Sequence, residues 1–184
     1  AYHHFSAFST LKTLPVILSE NGYLTANIGK YHVAPSEVFR FDTTLQGDLR
    51  NGVEMANNCR ELIRNTKKPF FLYFCVSDPH RSGEVVESIP EKPNRFGNRE
   101  EGYEGVQTRK FSPDSVMVPP YLPDTPECRA ELAQYYQSVY RMDQGFGKLF
   151  TYLKSAGKWD NSLVIYISDN GIAFPGAKTT LYDP

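Results

Sequence analysis

Three short apolar runs alternate with stretches of helical periodicity, and this order limits the possible folds more than any other feature of the chain. The apolar runs span residues 23–29, 70–76 and 163–168. A helix is predicted before each run, over residues 11–20, 48–65 and 125–157. Chains in which helices and strands alternate build mainly parallel sheets with helices on both faces. The sequence therefore predicts an α/β fold with a mainly parallel sheet sandwiched by helices.

The segment from about residue 82 to residue 125 interrupts this alternation. It is rich in proline, glycine and charged residues and shows no sustained periodicity. Such a segment is typical of a long irregular excursion over the surface of a domain. A chain of 184 residues has the length of one sizeable core, so we expect residues 1–184 to belong to a single domain.

The charge and the hydropathy of the chain exclude some classes of partner. A formal net charge of -1 gives no general electrostatic attraction for nucleic acid. No apolar run approaches the roughly 20 residues that a membrane-spanning helix needs. We therefore expect no nucleic-acid partner and no membrane span, and a charged substrate has to be bound by a local site.

Ionisable or amide side chains follow each apolar run at the point where the predicted strand ends. These residues are Lys30 and His32 after the first run, Asp78, His80 and Arg81 after the second, and Asp169 and Asn170 after the third. One polar end is ordinary, because Asp and Asn are common turn residues. In open α/β sheets, however, ligands bind beyond the carboxyl ends of the strands. Three such ends predict one shared site.

The chemistry of these residues is consistent with hydrolysis of a sulfuryl or phosphoryl group. Asp169 and Asn170 offer the hard oxygen ligands that Ca²⁺ or Mg²⁺ prefers. Lys30 and Lys178 offer positive charge to an oxyanion, and the histidines after the first two runs can transfer protons near neutral pH. Taken singly, each histidine also fits a hydrogen-bonded structural role, and Lys178 fits a solvated surface lysine.

Several stretches that contain these residues resemble the sulfatase family, and the resemblance extends over nearly the whole chain. In order they are GKYHVAP at 29–35, KKPFFLYF at 67–74, SDPHR at 77–81, RFGN at 95–98, VPPYLPDTPE at 118–127, VYRMDQG at 139–145 and SDNGIAFPG at 168–176. Each stretch is short, but their order and spacing make the match specific. The resemblance is strongest to the branch of the family that removes N-linked sulfate.

The resemblance implies a fold and an activity. It implies an alkaline-phosphatase-like domain and a calcium-dependent hydrolase of sulfuric esters or sulfamates, acting on the N-linked sulfate of glucosamine in heparan sulfate. It further implies a sulfated glycosaminoglycan or sugar as partner, a lysosomal or secretory location and a possible homodimer of the intact enzyme. An O-sulfatase of the same family is an alternative. A phosphatase relative fits poorly, because four histidines are few for two metal sites rich in Asp and His.

Matching positions imply roles for the charged residues of the site. Asp169 and Asn170 match two oxygen ligands of the family's calcium ion. Lys30 matches a lysine that contacts the nucleophile and the sulfate. Lys178 matches a basic residue on the sulfate, which is an arginine in the relatives most similar in motif.

The residues after the second strand match the part of the family's site that faces the leaving group. His80 matches a histidine that is a candidate general acid, and Asp78 and Arg81 flank it as candidate contacts to the sugar. His32 matches the histidine beside the hydrated aldehyde, where it assists regeneration of that group.

The cysteines depart from the family's pattern. The sulfatase nucleophile is a formylglycine made from a cysteine in a Cys-x-Pro/Ala-x-Arg motif, and Cys59, Cys75 and Cys128 all lack this motif. We therefore expect residues 1–184 to be the central part of a single sulfatase catalytic domain, with the formylglycine in a missing amino-terminal segment. The fragment by itself is expected to be inactive. A non-catalytic sulfatase-like binding protein is the remaining alternative, which the upstream sequence would distinguish.

Overall fold

The computed structural model describes residues 6–81 and 94–178, and helices and strands alternate in it along the first half of the chain. In chain order the elements are α1 (Leu14–Glu20), β1 (Leu24–Gly29), β2 (Thr43–Leu45), α2 (Gly52–Asn65), β3 (Phe70–Cys75) and α3 (Pro126–Ser155), with short 3-10 turns at Pro113–Ser115 and Trp159–Asn161. All three predicted helices and the first two predicted strands are present. The short strand β2 is an element that the sequence pattern did not indicate.

The three strands form one parallel sheet in the order β2-β1-β3. Strand β1 pairs with β3 from Leu24 opposite Phe70 to Gly29 opposite Cys75, so both strands end at the same level. The other edge of β1 pairs with β2, and the residues of β1 between its two ends are buried. A parallel sheet flanked by helices confirms the predicted α/β fold.

Local sequence sets the ends of the two long helices. The side chain of Asn51 accepts a hydrogen bond from the backbone N–H of Glu54 at 3.1 Å and caps the start of α2. Helix α3 starts in the same way at Thr125, with a proline in its first turn. Just beyond its end, Gly157 has a φ of 68°, a left-handed conformation that glycine adopts without steric strain.

Helices α2 and α3 pack against the sheet and against each other. Their buried core consists of Ile28 from β1, Met55, Ala56, Cys59 and Ile63 from α2, and Leu149 and Leu153 from α3. The two helices approach most closely at Gly52 and Gly145, where a Cβ atom on Gly145 would lie 2.6 Å from the Cα atom of Gly52. This close crossing brings the middle of α3 next to the residues that precede α2.

The described part of the predicted excursion packs against α3. Residues 94–125 contain no helix or strand apart from the 3-10 turn, and Phe96 anchors them because its side chain is fully buried beside Leu132. Residues 82–93 lie outside the described part of the chain, so the full extent of the excursion stays a prediction. Its described part is held in place by a second hydrophobic cluster and does not simply cover the surface.

The third predicted strand, residues 163–168, is not a strand in the structure. Leu163 is 87% exposed and Ile167 is 81% exposed, and no strand among the described residues pairs with this segment. Its contact with the rest of the fold includes Tyr166, whose ring meets that of Phe146 on α3 edge to face at 5.2 Å. The prediction is wrong because an apolar β-like composition shows only that a segment can pair, whereas pairing also needs a strand edge brought alongside the segment, and none of the described strands lies alongside this one.

Candidate active site

The carboxyl ends of β1 and β3 form the base of the site. Because Gly29 and Cys75 are partners in register, the residues that follow them leave the sheet at the same edge. The backbone N–H of Lys30 donates a hydrogen bond to the carbonyl oxygen of Cys75 at 2.7 Å. The predicted residues Lys30 and His80 therefore follow adjacent strand ends.

A tight turn positions His80 beyond β3. The backbone N–H of His80 donates to the carbonyl oxygen of Ser77 at 2.7 Å, and the N–H of Ser77 donates to Leu49 at 2.8 Å. The Nζ atom of Lys178 lies 3.4 Å from Nδ1 of His80, although 98 residues separate the two in sequence. The structure therefore brings a lysine from the end of the described chain to the turn after β3.

The pKa of His80 is shifted by burial and by the charges of neighbouring residues. Burial lowers the pKa of His80 most, and the positive charges of Lys178, Lys30 and Arg50 lower it further. The carboxylate of Asp169 acts in the opposite direction and raises it. Since these charges act on one imidazole, Lys30, Lys178, Asp169 and His80 share one region of the molecule. Cations outnumber anions in this region, which suits it to an anionic group.

Asp169 and Asn170 are exposed on the loop after residues 163–168. The side-chain amide nitrogen of Asn170 donates to the carbonyl oxygen of Gly171 at 2.7 Å, so its amide oxygen is the atom left to accept a cation. Nowhere in residues 6–81 and 94–178 do three or more His, Cys, Asp or Glu side chains form a group that could hold a metal ion. The two predicted ligands thus offer a partial set of oxygen donors.

The two remaining predicted residues, His32 and Arg81, follow the ends of β1 and β3. His32 is exposed on the loop after β1, two residues beyond Lys30. The Nε atom of Arg81 forms an ion pair with Oε1 of Glu131 on α3 at 2.6 Å. The predicted sugar contact of Arg81 stays a prediction, and in this structure its guanidinium group is turned toward the helix.

Asp78 is buried beneath the turn that carries His80. Its side chain is 1% exposed, and its carboxylate oxygens accept hydrogen bonds from Arg141 at 2.6 and 2.9 Å and from Arg50 at 2.7 Å. Burial raises the pKa of Asp78, while the hydrogen bonds and charges of the two arginines act against this rise. A supporting role under His80 accounts for this geometry. The predicted sugar contact of Asp78 stays a prediction.

Sequence reasoning missed Arg50 and Arg141. Arg50 precedes the cap of α2 in a stretch that carries no distinctive motif. Arg141 lies in the VYRMDQG stretch, and its side chain is 4% exposed in the middle of α3. A sequence signal did exist for Arg141, since an arginine amid the apolar positions of a long helix needs a buried partner. The identity of that partner could not be read from the helix alone.

Comparisons with known proteins found similar sequences over nearly the whole chain. The family model described as Sulfatase matches residues 2–183. The chain is 37% identical to N-sulphoglucosamine sulphohydrolase from Homo sapiens over an alignment that covers 99% of this chain and 38% of the relative.

Two further relatives match over shorter parts of the chain. Endo-4-O-sulfatase from Bacteroides thetaiotaomicron is 32% identical over 59% of this chain and 19% of its own length. Arylsulfatase K from Bos taurus is 27% identical over 69% of this chain and 26% of its own length. The chain thus spans well under half the length of these curated relatives. Among the described residues, no helix has both the length and the apolar character needed to cross a bilayer.

Proposed function

This chain belongs to the sulfatase family, and we propose that it forms part of a hydrolase that removes the N-linked sulfate from glucosamine residues of heparan sulfate. The observation that carries the proposal is the approach of Lys178 to His80 at 3.4 Å, with the charge of Lys30 acting on the same imidazole. Two ammonium groups beside one imidazole are suited to binding a sulfuryl group and transferring a proton to its leaving group.

Lys30 and Lys178 are proposed to bind the sulfuryl oxygens. The negative charge on these oxygens is redistributed as the bond between sulfur and the leaving group breaks. Positive charges that are already in place stabilise that transition state without any rearrangement of the site. Lys30 is half-buried, and its backbone is held at the strand end by a hydrogen bond to Cys75, which fixes the point from which its side chain extends.

His80 is proposed to donate the proton to the departing nitrogen. Burial and the nearby cations lower the pKa of His80 in the free protein, which leaves its imidazole neutral near neutral pH. A bound sulfate group would place negative charge beside the ring and raise this pKa again. Proton donation would therefore be favoured in the substrate complex and at the acidic pH of a lysosome. We propose a lysosomal or secretory location for the intact protein.

Calcium is proposed as the metal of the intact enzyme. The carboxylate of Asp169 and the amide oxygen of Asn170 are ligands of the kind that Ca²⁺ prefers, and the ion takes about 6–8 of them. These two residues would supply part of the set, and further ligands would come from segments outside residues 1–184. When bound, the ion would supply positive charge near the sulfuryl oxygens.

The nucleophile is proposed to be a formylglycine outside these 184 residues, with His32 beside its hydrate. His32 follows Lys30 on the loop after β1, a position that supports a role at the same edge of the sheet. Arg81 is proposed to face the sugar side of the cleft, and Asp78, buried beneath the same turn, to support it from within. A sulfated glycosaminoglycan is proposed as the partner and a homodimer as the assembly. Without the nucleophile, the 184-residue chain is expected to show no turnover.

An O-sulfatase is the second candidate function, because a relative described as an endo-4-O-sulfatase is 32% identical to part of the chain. The two functions are distinguished by measuring sulfate release by the full-length enzyme from N-sulfated and from O-sulfated glucosamine. We expect kcat/KM to be higher on the N-sulfated sugar by at least about tenfold, the lower range of discrimination between similar ligands. The reverse preference would establish the O-sulfatase.

A non-catalytic binding protein would behave differently in the same experiment. It would bind sulfated glucosamine, as measured by calorimetry, and release sulfate from neither sugar. Mass spectrometry of the full-length protein provides the matching control, because an enzyme of this kind has to carry the formylglycine. A full-length protein without that residue would contradict the proposed activity.

A further inference from the structure

The backbone of the turn that carries His80 is held by one arginine from a distant part of the chain. Nη2 of Arg50 donates to the carbonyl oxygen of His80 at 3.0 Å, and Nη1 donates to Asp78 at 2.7 Å. Nη1 also donates to the carbonyl oxygen of Phe96 at 2.9 Å. A single guanidinium group therefore joins the His80 turn to the described part of the excursion.

Arg141 fixes the position of this group from beneath without contacting His80 by a hydrogen bond. It binds Asp78 through two nitrogens, and its Nε atom donates to the carbonyl oxygen of Arg50 at 3.1 Å. It also donates to Phe96 at 2.8 Å. Asp78 is 1% exposed and Arg141 is 4% exposed, whereas Arg50 is 15% exposed and forms the layer next to the site.

A buried group of one carboxylate and two guanidinium ions is weak evidence for a stabilising role. Removing charges from water carries a large desolvation penalty, and well-packed apolar side chains of similar volume often stabilise a protein as well or better. What the charges add is directional bonding. The fork of Arg50 can hold two backbone carbonyl groups and one carboxylate in a single fixed geometry.

We propose that Arg50 is a positioning residue for His80, which sets the direction of the imidazole toward the leaving group by fixing the carbonyl oxygen of the same residue. This inference rests on the proposed role of His80 as the acid. A shift of about 1 Å in a catalytic group can lower a rate by about a hundredfold. An arginine that does not touch the substrate therefore has a measurable effect on kcat.

The test is a double-mutant cycle in the full-length enzyme with the variants Arg50→Met, His80→Ala and the two combined. In the wild-type background, Arg50→Met is expected to lower kcat on the N-sulfated sugar by about tenfold or more, with KM changed less than about twofold. In the His80→Ala background, the same substitution is expected to lower kcat by less than about twofold, because the group that it positions is already absent. Arg50→Lys keeps the positive charge but lacks the several N–H donors of the guanidinium group. Its loss in kcat is therefore expected to be smaller than that of Arg50→Met.

The matched control is Arg129→Met, which breaks an arginine–aspartate pair with Asp124 away from the site and should leave kcat unchanged. Equal losses from Arg50→Met in both backgrounds would overturn the positioning role while leaving the proposed function intact. An unchanged kcat in His80→Ala would instead overturn the proposed role of His80, and the positioning role with it. If Arg50→Met does not fold, the same cycle with Arg50→Lys decides the question.

Discussion

Strand β3 and the segment of residues 163–168 are built from similar amino acids and end in similar polar residues, but the fold treats them differently. Every residue of β3 has a register partner in β1, and alternate side chains of the strand, those of Phe70, Leu72 and Phe74, pack against the core formed with α2 and α3. In residues 163–168, Leu163 and Ile167 are more than four-fifths exposed. Two segments of similar strand propensity thus differ because β3 pairs with β1, whereas no described strand pairs with residues 163–168.

The same difference extends to the polar residues that follow each segment. His80 lies on a turn fixed by backbone bonds and by Arg50. Asp169 and Asn170 lie on a loop whose described hydrogen bonds include Ser168 Oγ to the Asn170 carbonyl and the Asn170 amide to Gly171. The His80 half of the site is therefore anchored directly to the core, whereas Asp169 and Asn170 are held by local contacts and by Phe174, which is buried four residues later.

The largest expected effect is on the anchored half, through His80→Ala in the full-length enzyme. An amine is a poor leaving group unless it is protonated, and a positioned acid contributes about a hundredfold to ten-thousandfold in rate. We expect kcat on the N-sulfated sugar to fall by at least about a hundredfold, with a smaller loss on an activated aryl sulfate. His80→Gln should not restore the activity.

Thermal unfolding and mass spectrometry of the formylglycine are the controls for His80→Ala. If kcat falls equally on both substrates, His80 binds the sulfate and does not act as the acid. A variant that loses its thermal transition would point to a structural role for His80.

The next effect compares the stability of the two apolar segments in the 184-residue chain. Phe74 of β3 packs into the main core and contacts Phe146, with ring centroids 5.6 Å apart. Phe74→Ala is expected to lower the free energy of unfolding by about 2 kcal/mol, less than for a fully buried phenylalanine because Phe74 is half-buried. Ile167→Ala, at a site that is 81% exposed, should change it by less than about 0.5 kcal/mol. Urea unfolding curves measure both, and equal losses would show that residues 163–168 are packed in solution.

A smaller effect is expected at the helix crossing that supports the anchored half. Gly145→Ala would place a Cβ atom 2.6 Å from the Cα atom of Gly52, so the helices have to move apart at a cost of about 2–3 kcal/mol. This cost exceeds the gain of up to about 1 kcal/mol in helix propensity that the same substitution brings. Gly147→Ala is the matched control on the same helix, because no heavy atom beyond its chain neighbours and the adjacent backbone of its own helix lies within 4 Å of the added Cβ. That substitution should stabilise the chain by up to about 1 kcal/mol through helix propensity. Opposite signs in chemical unfolding are expected, and two stabilising substitutions would contradict the close crossing.

The smallest expected effect tests whether the loop that carries Asp169 and Asn170 lies close to His80. Lys178 lowers the pKa of His80 and Asp169 raises it. With calcium removed by a chelator, Lys178→Met is therefore expected to raise the pKa of His80, and Asp169→Asn to lower it. NMR titration of the His80 ring in each variant measures the direction of both pKa changes. A pKa that does not respond to Asp169→Asn would place residues 168–171 away from His80 in solution.

The lowered pKa of His80 also has a consequence for stability. Since the folded state favours the neutral imidazole more than the unfolded state does, this contribution is fully present above the unfolded pKa and is lost as the pH falls from there through the lower pKa of the folded state. The partial exposure of the ring allows solvent to screen the effect. When the pH is lowered to 5, the free energy of unfolding should accordingly fall less in His80→Gln than in the wild type.

Much of the fold could be predicted because its signals are local. The cap at Asn51, the proline at Pro126 and the glycine at Gly157 set the ends of helices within a few residues, and the composition of residues 70–75 identifies a strand. The convergence of Lys30 and His80 also followed from local signals, because parallel strands in register end at one edge of a sheet. The exposure of residues 163–168 did not follow, since strand pairing needs a partner edge that the segment itself does not contain.

The sequence by itself determined which segments can form helices and strands, and which polar residues follow the strands. Only the tertiary structure decided that Lys178 lies beside His80, that Asp78 is buried and that Arg50 and Arg141 bind it. The physical reason is that secondary structure arises from neighbours a few residues apart, whereas buried charges are stable only where distant segments supply their partners. Arg141 and Asp78 are 63 residues apart in sequence and 2.6 Å apart in the fold, and no local pattern contains that distance.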